Sequence, residues 1–189
     1  MRPVTVIGAA TSAGTHYAGQ ERAPDAMRAA GLIERLVRAG ITVTDHGNVV
    51  RDTFRVDAGH PRARNLAATV RAAQTVADAV EFAARDGSVL LVLGGDCTIT
   101  LGVLAGLQRV EPGTGLAYFD GDADLGTPED SGGILDAMGI AHLLGLTETE
   151  LPACSPAGRR WLGDAWPCLA TTRPMPAPTG SRSSTIAAT

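Results

Sequence analysis

The sequence predicts an α/β fold, a three-layer α/β/α arrangement around a mostly parallel sheet. Two short apolar runs, residues 89–93 and 116–119, lack polar alternation, the pattern of strands covered on both faces by helices. Stretches with apolar residues at helical spacing alternate with the strand-like runs, as in right-handed crossover units. Both apolar runs also end in polar clusters, Gly94-Gly95-Asp96-Cys97 and Asp120-Gly121-Asp122-Ala123-Asp124. The carboxyl ends of strands are where open α/β sheets gather ligands and chemistry.

In chain order, residues 4–8 are a β-branched run closed by Gly8 and form a first strand. Pro24 and Asp25 open a helix whose stripe Met27, Ala30, Ile33, Leu36 and Val37 runs to Gly40. Residues 41–45 alternate apolar and polar, as a half-covered strand near a sheet edge does, and residues 45–48 carry turn chemistry. After an irregular polar stretch, Leu66, Val70, Ala73, Ala77, Val80 and Ala84 mark a long helix ending near Asp86-Gly87. The third strand spans 88–93, a short helix 99–110, the fourth strand 116–119, and a last helical pattern 134–144.

The 189 residues, 44% hydrophobic with net charge −4, suit one soluble domain. The N-terminus MRPVTVIG has no basic region followed by a long apolar stretch, and no apolar run is long enough for a membrane span. A cytoplasmic location and no membrane partner are therefore expected. Acids outnumber bases and aromatics make up 4%, which argues against nucleic acid. Cys97, Cys154 and Cys168 are unevenly spaced, so neither a disulfide framework nor a zinc knuckle is expected. Self-association into a homo-oligomer stays open.

The composition breaks near residue 151. Residues 1–151 carry 12 Arg against 19 acids, whereas residues 152–189 carry four Arg, one acid, six of the eleven Pro and nine Ser or Thr. The expected division is an incomplete α/β domain over 1–151 and a Pro/Ser/Thr-rich tail over 152–189. Such a tail is either a disordered extension or a frameshifted product. The chain's complete lack of Lys beside abundant Ala, Gly and Pro suggests GC-rich coding DNA, which favours the frameshift.

Asp120, Asp122 and Asp124 alternate, so in an extended segment their carboxylates share a face and repel one another unless cations neutralise them. Hard oxygen donors suit Mg²⁺, Mn²⁺ or Ca²⁺; a solvated loop with Asp caps has the same spacing. An EF-hand loop fits less well, because Gly126 comes one place late and Ser131 stands where Glu is needed. Cys97 is either a ligand or a small residue buried in a strand-to-helix turn. His142 reads as a helix residue with a satisfied ring, and His16 in the first loop shows no partner, so neither receives a catalytic role.

Taken together with Thr127-Pro128 and the loop Ser131-Gly132-Gly133, these clusters resemble the motifs of the arginase, agmatinase and formiminoglutamase family, the ureohydrolases. That family has Gly-Gly-Asp-His after one strand and Asp-Ala-His-x-Asp after the next. Ala23-Pro24, Met27-Arg28 and Asp45-His46-Gly47 add to the likeness, which covers about residues 1–150.

The resemblance implies an arginase-like fold and a binuclear manganese site that activates water against the carbon of a guanidino or formimino substrate, a linear amidine. Carried over position by position, Cys97 stands at the family's first His ligand, Asp120 and Asp124 at its carboxylate ligands, and Asp122 at its second His. The expected metal residues are therefore Cys97, Asp120, Asp122 and Asp124. A thiolate at Cys97 would favour Zn²⁺ or Fe²⁺ over Mn²⁺. Nothing in residues 152–189 resembles the family's second Asp pair or its last strands, which lie between the third and fourth. Two function classes follow: a metal-dependent hydrolase of C–N bonds whose activity is impaired in this truncated chain, or a non-catalytic remnant acting as a metal-binding or interaction scaffold.

Overall fold

The computed structural model describes residues 2–147 and the short strand 168–171. Strand β1 (Val4–Thr11) is flanked by β2 (Val43–Asp52) and β3 (Val89–Gly94), both parallel to it, giving the order β2-β1-β3. Helix α3 (Leu66–Ala84) leads into β3, and α4 (Ile99–Val110) leads out of it toward β4 (Ala117–Asp120). The odd positions of β1 face α3: Ile7 and Ala9 pack with Val76, Val80 and Ala83. On the opposite face Gly8 leaves room for Asn48 and for the Arg28 guanidinium of α1 (Ala23–Ala29). The central strand is thus covered on both sides, and β2 lies at the edge, as its alternating sequence predicts.

A second core lies beyond α4. Leu101, Leu104 and Ala105 of that helix, with Ala77 of α3, enclose Leu135, Met138, Ile140 and Leu143. The last four come from a 3₁₀ turn (Leu135–Met138) and α5 (Gly139–Leu143), where one continuous helix was expected. This core fixes the loop after β4 against the start of α4. α3 and α4 approach closely because Gly102 and Gly106 present no side chain: a Cβ at either would lie 2.4 Å from a carbonyl oxygen, of Ala73 and Ala77 respectively.

The structure corrects four expectations. The helix over residues 24–40 is two short ones, α1 and α2 (Leu32–Arg38), because Gly31 at φ +82° stops the first turn sequence. Its stripe faces solvent in part, with Met27 45% and Val37 56% exposed. Residues 45–48 do not end β2. Register slips from Val6↔Asp45 to Gly8↔Asn48, with Gly47 at φ +69°, so turn-forming residues make a bulge on an edge strand. Finally, β3 and β4 are not buried on both faces: Val89 is 44% and Phe119 83% exposed. Among the described residues these strands do not pair with each other, and each is uncovered along part of its length.

β4 pairs instead with β5 (Cys168–Thr171), parallel, from Ala117↔Cys168 to Asp120↔Thr171. The remaining residues of the expected tail, with Cys154, lie outside the described residues. No described helix is long and apolar enough to cross a membrane.

Candidate metal centre

The turn after β3 is anchored from below by Asp96. Its carboxylate, 1% exposed, accepts from the backbone N–H of Gly14 and of Thr98, each at 3.1 Å, and from the Thr98 hydroxyl. The turn runs against the end of β1: a Cβ on Gly95 would meet the carbonyl oxygens of Ala9 and Thr11 at 2.4 and 2.6 Å. Burial, only partly offset by the hydrogen bond from Thr98, pushes the Asp96 acid up to about 6. Asp96 is thus a structural knot between the loop after β1 and the first turn of α4.

That knot presents the next residue, Cys97, to the end of β4. One ligand atom from each of Cys97, Asp120 and Asp124 lies within 4.8 Å of the others. Cys97 Sγ is 3.9 Å from Asp120 Oδ2. The Cys97 N–H donates to Asp136 Oδ1 at 2.6 Å, which ties the turn to the loop after β4. Asp124 is buried at φ +48°, a left-handed conformation that Asp tolerates better than most residues, and its carbonyl accepts from the N–H groups of Ile140 and Ala141. Asp122, by contrast, is exposed; its Oδ1 accepts from the Ala123 N–H at 2.7 Å, and it stands outside the three-donor group.

Two residues that sequence reasoning missed complete the surroundings. Tyr118 donates its hydroxyl to Asp124 Oδ2 and lies 3.2 Å from Asp120 Oδ2. Its place two residues before Asp120, on the same strand face, was a readable signal. Asp136 carried none, because it reaches Cys97 only through the chain's return after β4. His16 is exposed. His142 is buried with Nδ1 2.7 Å from the Met138 carbonyl oxygen, a satisfied helix residue as expected.

The electrostatics are those of crowded, partly buried acids. Burial first, then the neighbouring carboxylates of Asp136 and Asp124, pushes the Cys97 thiol up to about 12. Burial, with Asp120 nearby, pushes Asp124 up to about 6, against the hydrogen bond from Tyr118. Burial raises Asp136 too. Such a set gains by binding a cation, which neutralises the carboxylates and can draw the proton from a coordinating thiol. Two carboxylates and one sulfur fit a single divalent ion of borderline softness. The described residues supply no second donor set for a paired ion.

The arginase family model matches residues 2–158. The chain is 36% identical over 154 residues to the arginase of Bacillus caldovelox, covering 80% of this chain and 52% of that protein. It is 30% identical over 152 residues to human arginase-1, covering 80% and 47%. The solved structure of the Bacillus caldovelox arginase superposes with a TM-score of 0.70 at 33% identity, over 82% of this chain and 52% of that one. A Bacillus subtilis formimidoylglutamase shares the fold, with a TM-score of 0.56 at 21% identity. The chain spans about half the length of the curated relatives it matches. The motif-bearing strand ends, the parallel β2-β1-β3 sheet and the family match fall on the same residues, and by them the chain belongs to the arginase family.

Proposed function

We propose that this chain carries one half of an arginase-family hydrolase site, and that the reaction class is hydrolysis of a C–N bond in a linear amidine, a guanidino or formimino compound. In that reaction an oxygen–carbon bond forms from water, the carbon–nitrogen bond breaks, and the leaving nitrogen takes a proton. The supporting observation is the convergence of Cys97, Asp120 and Asp124 within 4.8 Å at the ends of β3 and β4. These three residues would hold a divalent cation, and Asp122 adds negative charge from the exposed side. The cation, manganese by family resemblance, would supply an acidified water and a charge to stabilise the tetrahedral centre. This chain's residues position that centre: Asp96 fixes the turn, Asp136 fixes the Cys97 backbone, and the second core holds the Asp124 loop.

The same donor set supports the reading that catalysis is impaired. Three donors, one of them a thiol that keeps its proton near neutrality, enclose a cation poorly, and loss of even outer partners of a metal site costs about 10- to 100-fold. A non-catalytic remnant that binds metal is the second reading, favoured by the exposed faces of β3 and β4. Calorimetric titration with Mn²⁺ and Zn²⁺, followed by urea and ammonia assays on arginine, agmatine and formiminoglutamate, separates the readings. Cation binding lost in Asp124→Asn, with no product above buffer, is the expected result. Product release abolished by Asp120→Ala and by a chelator would overturn impairment; no cation binding would overturn the site.

A further inference from the structure

The Tyr118 hydroxyl lies at the heart of the proposed donor group. It donates to Oδ2 of Asp124 and lies 3.2 Å from Oδ2 of Asp120. The Asp120 oxygen it meets is the same one that lies 3.9 Å from Cys97 Sγ. One hydroxyl therefore meets both carboxylates of the three-donor group, and the Asp120 oxygen it meets is the one beside the sulfur. Its ring is held in place, packed against the core of Leu101, Leu135 and Met138.

A phenol is neutral near pH 7 and offers a single O–H donor. A donor satisfies the same carboxylate lone pairs that a cation uses, and a hydrogen bond to a charged acceptor is about twice as strong as a neutral one. We propose that the Tyr118 hydroxyl is a built-in competitor for the cation: it occupies Oδ2 of Asp124, lies against Oδ2 of Asp120, and must withdraw before a divalent ion can use those two oxygens. Tyr118 is in this sense a positioning residue, one whose hydroxyl sets the threshold for metal uptake. The inference rests on the cation reading above.

The test is calorimetric titration of the full chain and of Tyr118→Phe with Zn²⁺ and with Mn²⁺ alone. Phe keeps the ring and its packing while removing the competing hydroxyl. The variant is expected to bind each ion about tenfold more tightly, the scale set by one hydrogen bond to a charged group. Equal affinity would overturn the proposal, and weaker affinity would overturn it by making the hydroxyl a ligand. Should neither chain bind either ion, the cation reading itself fails and takes this inference with it. A second measurement covers a variant that does not fold. In a Tyr17→Phe background, where Tyr118 is the remaining tyrosine, Zn²⁺ should perturb the near-ultraviolet tyrosine band in proportion to the bound ion. A cation that binds without changing this band would overturn the proposal.

Discussion

Cys97 Sγ lies 3.9 Å from Oδ2 of Asp120, so the turn that follows β3 meets the last residue of β4 although the two strands share no backbone hydrogen bonds. The pair joins a soft donor to a hard one, and the soft donor sets ion choice. Cys97→His should shift preference from Zn²⁺ toward Mn²⁺. Cys97→Ser should weaken Zn²⁺ binding by about 100-fold or more, beyond the range for outer-shell partners. Competitive titration of the two ions checks both, and an unchanged Zn²⁺-to-Mn²⁺ ratio in Cys97→His would remove the sulfur from the centre.

Asp124 and Asp122 should differ sharply when neutralised. Asn tolerates the left-handed backbone that Asp124 holds at φ +48°, so Asp124→Asn should fold, as far-ultraviolet circular dichroism will report, yet lose cation binding. Asp122 is exposed and outside the three-donor group, and its screened charge is worth less. Asp122→Asn should therefore cost less affinity than Asp124→Asn. The reverse order would mean that the loop rearranges to bring Asp122 inward.

The strands and long helices of this fold were legible because burial leaves periodic traces: α4 spans Ile99–Val110 as its pattern predicts, and α3 follows the stripe from Leu66. The break at Gly31 was hidden because apolar spacing continues across it, and the β2 bulge because Asp, Gly and Asn serve turns and bulges alike. At the site, the Asp-x-Asp-x-Asp spacing signalled charge but could not say that Asp122 turns outward. That depends on the backbone leaving the extended conformation after Asp120, where β4 ends. Asp136 stayed invisible because its partner is 39 residues away and is a backbone N–H.

Helix packing supplies a stability prediction. A Cβ on Gly102 would meet the Ala73 carbonyl oxygen at 2.4 Å and Val76 Cβ at 3.0 Å. A carbonyl tied into its own helix yields little, so Gly102→Ala should destabilise by about 1 to 3 kcal/mol through overpacking, despite the better helix propensity of Ala. Gly139 is the internal control: its backbone is helical at φ −55° and, apart from its chain neighbours and its own helix backbone, no heavy atom lies within 4 Å of a Cβ built there. Gly139→Ala should be neutral or stabilising by up to about 1 kcal/mol. Urea denaturation of the pair checks the contrast, and equal effects would deny that α3 and α4 need glycine at their contact.

His142 ties stability to pH in a direction that can be worked out. The ring is 1% exposed and Nδ1 lies 2.7 Å from the Met138 carbonyl oxygen. Burial holds its pKa below the ordinary value, against the opposing pull of that carbonyl. In the unfolded chain the imidazole takes its proton near the ordinary value of about 6.5, while in the folded chain it stays neutral to lower pH. The unfolded state then binds more protons, so the His142 contribution is fully present above about 6.5 and is lost as pH falls below it, with a slope of at most about 1.4 kcal/mol per pH unit. His142→Gln retains a hydrogen-bonding side chain but cannot titrate. It should be less stable than the parent near neutrality, and the gap should narrow as acid protonates the parent's unfolded state. Taking the difference between the two chains cancels every carboxylate they share, including Asp96 and Asp124, whose raised pKa values act in the opposite direction between about 4 and 6. Chemical denaturation of both chains from about pH 8 to about pH 5 measures the gap. A gap that stays constant over that range would show that His142 titrates alike in the folded and unfolded chains.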